Sequence, residues 1–523
     1  HEFRVEDGST NTIYKHIISV KKQKLQLAES ADIGLDPLFD VNFESNPLDE
    51  SADSKLDVKL RGMTIFYHVH FINEITRFFN PPKQHLDTIG AIINAAEATV
   101  EGWTTQTRMG IESLLEEHKT ANVTLDLQAP LIIVPLDPHI WDTPCAVIDA
   151  GHIALASDLV PKKEIARIKE MTPEEYSQID GNELNKLMFD RFKLCLQDTQ
   201  ILIGPDIRST IKSLDGTKDG SQYSILSGLL LELTLDISIL PKAYNLPKVR
   251  AFAHLPKLNI SLNDYQYKVM MQLLDKCTPS SAEMMSNDDL KDYAVSDDAL
   301  DQNNQVQLLK NMQLLENMTP AELDQKLLDI QFDIDLVQIS MFKCLEDKSM
   351  HCKKLIDVLG GKLKLNFVKK AKGMDLDLSM HSLEIEDFIE DNHNDLFTHL
   401  VSSSVLNPSG TKDLFAVNFK REQRIVHHKE LLIEVFDQDI KINMAQLQVV
   451  LTPTSILTLM NYALTTFTDP DAPALPADAL RHNKENWEDA PQKLTMNVNM
   501  AGMVVLLNDE SIKLATLILS AVD

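Results

Sequence analysis

The chain runs to 523 residues, more than one ordinary packed core holds, yet nothing in its composition marks a clean division into domains. Lysine and arginine number 50 against 78 aspartates and glutamates, giving a net charge of −28; such a surface repels phosphate backbones, which argues against nucleic acid and against broad adhesion to an anionic membrane. The five cysteines, Cys145, Cys195, Cys277, Cys344 and Cys352, show no paired spacing, which suits a reducing compartment and not a disulfide framework.

Taken in chain order, strand-like segments fall near 14–27, 37–44, 55–69, 122–134, 145–156, 188–203, 226–240, 249–263, 329–345, 353–368, 374–387, 413–421, 429–451 and 493–519. The clearest helix is 85–118, where Ile89, Ile92, Ile93, Ala96, Val100 and Trp103 recur at helical spacing after Pro81-Pro82. Shorter helices are expected at 161–187, 264–277, 305–317 and 453–467. A Ser, Asp and Asn-rich loop spans 278–301, and a Pro, Ala and Asp-rich linker spans 469–491. No apolar run reaches the roughly 18 to 20 residues that cross a bilayer, so the chain reads as soluble or peripheral. It opens on His1 without an initiator Met and stops just after an apolar alternation, so both ends read as cut from something longer.

The strands share one grammar. From Leu229 to Ile239 the residues Leu229, Leu231, Leu233, Leu235, Ile237 and Ile239 fall on one side of an extended chain, with Glu232, Thr234, Asp236 and Ser238 on the other. The same one-faced pattern gives an inward set of Leu56, Val58, Leu60, Met63 and Ile65; Val123, Leu125 and Leu127; Ile153 and Leu155; Phe192, Leu194, Leu196, Ile201 and Ile203; and Leu258, Ile260 and Leu262. Further along it gives Phe332, Ile334 and Leu336; Leu363, Leu365 and Phe367; Leu376, Leu378 and Met380; Phe415, Val417 and Phe419; Leu431, Ile433 and Val435; Ile440, Ile442 and Met444; and Met496, Val498 and Met500. A sheet of half-apolar strands must cover its apolar face with a second sheet, with helices or with lipid.

Two devices recur. Long strands are interrupted at Arg61-Gly62, at Asp198-Thr199-Gln200 and at His381-Ser382; each interruption resets the alternation by one residue, as a bulge does, and so bends the sheet toward a trough. A strand, a polar break and an amphipathic helix follow one another at Val58 to Phe79, Leu258 to Lys276 and Leu447 to Phe467, which suggests repeats of roughly 1–120, 121–325 and 326–492, with 493–523 opening another.

Chemistry is hard to find. There is no G-x-G-x-x-G, G-x-x-x-x-G-K-[ST], H-E-x-x-H or G-x-S-x-G. His68 and His70 share a strand face but read as solvated residues, as does the acidic cluster Glu384, Glu386, Asp387, Glu390 and Asp391, which lacks the spacing of a calcium loop. The triplets at Asn122, Asn259 and Asn317 read as unglycosylated, and Lys21, Lys22 and Lys24 as one solvated strand face. No catalytic residue, cofactor or metal is expected. About fifteen strands at ~4.8 Å spacing make a sheet some 70 Å long and ~33 Å wide, an area that the few helices cannot cover. A closed β-sandwich scaffold is the competing reading of the same alternation.

The blocks LDLQAPLIIVP (Leu125–Pro135), AVIDAGHIALASDLVPKK (Ala146–Lys163), DRFKLCLQDTQILIG (Asp190–Gly204) and LPKLNISLNDYQYKVMMQLLDK (Leu255–Lys276) closely resemble the chorein, or Vps-thirteen, family of bridge-like lipid-transfer proteins. Past about residue 330 the likeness rests on pattern. The resemblance implies a mainly β fold, a long, curved antiparallel sheet forming an open hydrophobic groove. It also implies carriage of glycerophospholipids between organelle membranes at contact sites, with a cytoplasmic, peripheral location. By that resemblance the inward stripe is the site. Neither the extreme N-terminal chorein segment nor the C-terminal adaptor-binding and membrane-targeting domains is seen, so protein adaptors and membrane attachment belong to parts outside this fragment.

Overall fold

A computed structural model describes residues 4–8, 13–20, 38–49, 52–68, 120–161, 188–214, 222–239, 246–277, 309, 312, 315, 318–346, 349–389, 398–403, 413–428, 431–467, 493–509 and 512–522. Among them are twenty-one strands and four helices, so the fold is mainly β, as the alternation requires. The expected helices at 85–118 and from 162 to 187, the loop at 278–301 and the linker at 469–491 lie outside the described residues. The chain divides into two compact units, residues 1–261 with 265–279, and residues 262–264 with 280–523.

The first unit holds β1 (Val5–Glu6), β2 (His16–Val20), β3 (Phe39–Ser45), β4 (Ser54–Leu60), β5 (Met63–Phe66), β6 (Ala121–Gln128), β7 (Leu131–Pro135), β8 (Cys145–Asp149), β9 (His152–Asp158), β10 (Phe189–Gly204), helix α1 (Ile207–Leu214), β11 (Ser224–Ser238) and β12 (Val249–Asn263). Helix α2 (Asp264–Cys277) follows. Several of these strands are two halves of one line. β4 and β5 pair with β6 and β7, which pair with β9 and β8, and both of those lie along the single strand β10. The register runs through every break unchanged, so Gly62, Ala129, Gly151 and Asp198 stand at one level. The Ala129 amide donates to the Gly151 carbonyl there at 2.8 Å, and Gly151 and Asp198 both take left-handed backbone, at φ 70° and 58°. The sheet therefore folds along a shared crease. The interruptions expected at Arg61-Gly62 and Asp198-Thr199-Gln200 are two points on it.

The second unit repeats the plan with β13 (Lys326–Glu346), β14 (Ser349–Lys370), β15 (Gly373–Asp387), β16 (His399–Ser402), β17 (Phe415–His428), β18 (Leu431–Met444), β19 (Leu447–Leu451), β20 (Leu494–Asp509) and β21 (Ile512–Val522). Helix α3 (Pro320–Asp324) leads in behind a capping box of Thr319 and Glu322, and α4 (Pro453–Thr466) starts on a proline after β19. One half of β15 pairs with β17 and the other with β16, while β20 pairs first with β18 and then with β19. The breaks again align, at Lys362, His381, Ala445 and Ala501. Lys362 carries the left-handed backbone here, at φ 50°.

An antiparallel sheet was the expectation; the sheet is mixed. β4 with β6, β5 with β7, β18 with β20 and β19 with β20 run parallel. A parallel pair needs a crossover of a dozen or more residues, and the segments between β5 and β6 and between β19 and β20 provide it. Alternation in sequence carries no strand direction, so nothing in the pattern distinguished the two cases.

The packed core of the first unit lies beyond the crease. Leu131, Ile133, Cys145, Val147 and Leu202 are buried with Tyr14 and with Ile207 of α1. Ile133 is fully buried, and its replacement by alanine should cost about 2 to 5 kcal/mol, read as a lowered midpoint in urea unfolding.

Candidate functional site

The register assembles the apolar residues into rows that cross the sheet. In the first unit one row joins Phe39, Leu60, Leu127, Ile153, Leu196 and Leu231. The next joins Val41, Val58, Leu125, Leu155, Leu194, Leu233 and Ala253; a third joins Phe43, Leu56, Val123, Ser157, Phe192, Leu235 and Ala251. Beyond the crease a further row joins Ile18, Ile65, Ile132, Ile148, Ile201, Leu226 and Ile260. The one-residue reset at the crease returns this row to the side that carries Leu60 and Leu196.

These side chains stand beside their row neighbours in the sheet. Nearly all are half-buried, and Phe39 and Phe43 are 60% and 64% exposed. In a core they would be closed off, as Ile133 and Val147 are. The open rows end where a helix lies on them. Val269 and Leu273 of α2 pack on Ile203, with Val134 and Ala146 beside it, and Gln266 donates to the Ile203 and Tyr223 carbonyls.

The second unit has the same construction. Its rows are Ile330, Phe367, Leu376, Phe419, Ile440 and Met496; Phe332, Leu365, Leu378, Val417, Ile442 and Val498; and Ile334, Leu363, Met380, Phe415, Met444 and Met500. Past the crease run Ile339, Val358, Ile385, Val401, Val449, Val505 and Leu517. Met496 is 57% exposed. In the row after that, Asp387 stands opposite Ile356 and accepts a hydrogen bond from Ser455 of α4, the counterpart of α2 on Ile203.

Short of the crease, the opposite face of the first unit is polar and ion-paired. His152 meets Asp126 at 2.7 Å, and Lys193 meets Asp158 at 3.8 Å. Across β10, β11 and β12, Arg191 and Arg250 both donate to Asp236, at 2.8 and 2.7 Å, and the Arg250 guanidinium sits over the Phe189 ring. Burial pushes the Asp236 carboxyl up, but the two guanidiniums outweigh it and hold the group below its ordinary value. A depressed pKa adds stability above the unfolded-state value near pH 4, and that stability is lost as pH falls through the folded value. Asp236→Asn should cost about 2 kcal/mol at pH 7, less than a fully buried pair because both arginines keep some contact with water. The variant and the parent should converge below pH 4 in acid unfolding followed by circular dichroism.

Most of the sequence-derived lining falls in these rows. Ile203 is covered by α2, Ile239 and Ile334 are buried, and Val435 is fully buried. Val435 also differs in parity from Ile440 in an unbroken strand, so it faces the other way. The side chains of Leu431 and Ile433 lie outside what the structure describes. The sequence reading missed Phe39, Val41 and Phe43, and also Ile132 and Ile148, whose runs LIIVP and AVI are apolar on both faces and so show no alternation. Carrying the reset at Gly62 across to these strands would have found them. Among the described residues no cluster of three or more His, Cys, Asp or Glu is placed to hold a metal ion, and no helix is long and apolar enough to cross a membrane.

Residues 1–322 match the family described as the VPS13-like family N-terminal region. The chain is 26% identical, over 98% of its length, to an intermembrane lipid transfer protein VPS13 of Chaetomium thermophilum, covering 18% of that protein. It is 21% identical over 82% of its length to intermembrane lipid transfer protein vps13A of Dictyostelium discoideum, covering 13% of it. Against VPS13A of Mus musculus, also an intermembrane lipid transfer protein, identity is 23% over 45% of the chain and 7% of the relative. The chain thus spans less than a fifth of the length of these curated relatives.

Proposed function

Because the chain belongs to the VPS13-like family, we propose that it is a conducting segment for glycerophospholipids, carrying them between organelle membranes at contact sites. Acyl chains slide along the apolar rows, and headgroups remain at the open side of the trough, in water. The observation that supports this most is the continuity of the rows, six or seven strands wide in each unit and half-exposed over most of their length, with Ala253 and Ile334 buried.

The energetics favour a lining over a catalyst. Moving a tail of about sixteen carbons into water costs something over 10 kcal/mol at roughly 0.8 kcal/mol per methylene, and a continuous apolar floor removes most of that barrier. No bond changes, and the driving force is the difference in lipid potential between the two ends. The floor has few polar side chains to read a headgroup, so selectivity among phospholipids is weak. The repeats expected at 1–120, 121–325 and 326–492 each contribute a length of apolar lining.

Organic extraction of the purified chain followed by lipid mass spectrometry tests this reading. Glycerophospholipids of mixed headgroup should co-purify in more than equimolar amount. A dry extract would favour a closed scaffold instead.

A further inference from the structure

The register of β13 and β14 sets Cys344 directly across from Cys352, close to the hairpin end where Glu346 faces Ser349. The Cys344 amide donates to the Asp264 carboxylate at 2.9 Å, which leaves the two cysteines as a pair of the non-hydrogen-bonded kind. At such pairs in an antiparallel ladder the Cα atoms approach to about 4.5 Å, inside the span of a disulfide. Both thiols are free and half-buried, whereas Cys145 is enclosed against Thr210.

We propose that Cys344 and Cys352 are a redox modification site, which a low-molecular-weight disulfide such as oxidised glutathione converts to an intramolecular disulfide. The Cys352 thiolate attacks one glutathione sulfur and expels the other glutathione as a thiolate. The Cys344 thiolate then attacks the Cys352 sulfur and expels the second. Two thiol protons pass to solvent or to the departing thiolates, the protein loses two electrons, and one glutathione disulfide becomes two thiols. The new bond staples the end of the hairpin beside Tyr462 of α4, which is buried there. Burial first, and then the neighbouring Cys352 and Asp264, push the Cys344 thiol up, while burial raises Cys352. Oxidation is therefore slow at neutral pH and quickens as pH rises.

The test treats the full chain with excess oxidised glutathione, blocks residual thiols with N-ethylmaleimide and maps peptides without reduction. The expected product is a peptide joining residues 344 and 352, two hydrogens lighter than the reduced pair. Cys344→Ser should trap glutathione on Cys352 as a stable mixed disulfide, which shows that the second step needs Cys344. Accumulation of glutathione on Cys352 in the unsubstituted chain would overturn the proposal. So would both thiols remaining free while the half-buried Cys195 reacts.

Discussion

Replacing Leu194 by Glu together with Leu233 by Arg should cut lipid transfer between donor and acceptor liposomes by at least tenfold while leaving the chain folded. The two residues face each other across β10 and β11 in the middle row of the first unit, with Leu155 and Ala253 on either side. A charge set among acyl chains costs about 2.5 to 3.5 kcal/mol even where it can reach water, enough for a hundredfold change in the population of a tail crossing that point. The fold should tolerate the pair because both sites are half-exposed and the introduced charges oppose each other directly. Far-ultraviolet circular dichroism and the unfolding midpoint should stay near those of the parent. The same charges placed on the wet face, at Thr234 and Lys193, should leave transfer unchanged. If the row variant transferred lipid at the parent rate, the rows would not be the path.

A second large effect is expected at the crease. Gly151 has φ 70°, and a Cβ at that position would stand 1.9 Å from the Gln197 carbonyl oxygen of the neighbouring strand. That oxygen is backbone, so relief requires β10 to move away from β8 and β9 together. Gly151→Val combines this overlap with a left-handed conformation that a β-branched residue resists, and should destabilise the first unit by 3 kcal/mol or more, with a midpoint lowered by about 6 °C or beyond. Gly228 is the control: its φ is 61°, yet nothing lies within 4 Å of the Cβ it would gain. Gly228→Ala should cost only about 1 kcal/mol of backbone strain. Equal losses at the two positions would show that the close approach at Gly151 does not hold the crease.

Much of this arrangement was legible in the residues, for a physical reason. A strand with one face open to something apolar and the other to water must alternate, and Leu231 to Ile237 does so without a fault. The breaks at Gly62, Asp198 and His381 were visible because each shifts the alternation, and two of the three helices that follow a strand in the repeated layout appear as α2 and α4. The third, expected before Phe79, lies outside the described residues. What stayed hidden depends on partners and not on periodicity. The parallel direction of β4 with β6 is decided by the crossover between them. Val435 belongs to an apolar run whose two faces look alike in sequence. Cys344 and Cys352 look unrelated until the two-residue connection between β13 and β14 turns their separation into opposition.

The lipid path is open to a direct chemical measurement. Loading the chain with a phospholipid that carries a photoactivatable group near the end of its acyl tail, irradiating and mapping the adducts by mass spectrometry reports which side chains touch hydrocarbon. Adducts should fall on Leu125, Leu155, Leu194 and Leu233 in the first unit and on Leu365, Leu378, Val417 and Ile442 in the second, and should spare Ile133, Val147 and the ion-paired face. Labelling confined to the wet face, or none on the rows of either unit, would contradict the account.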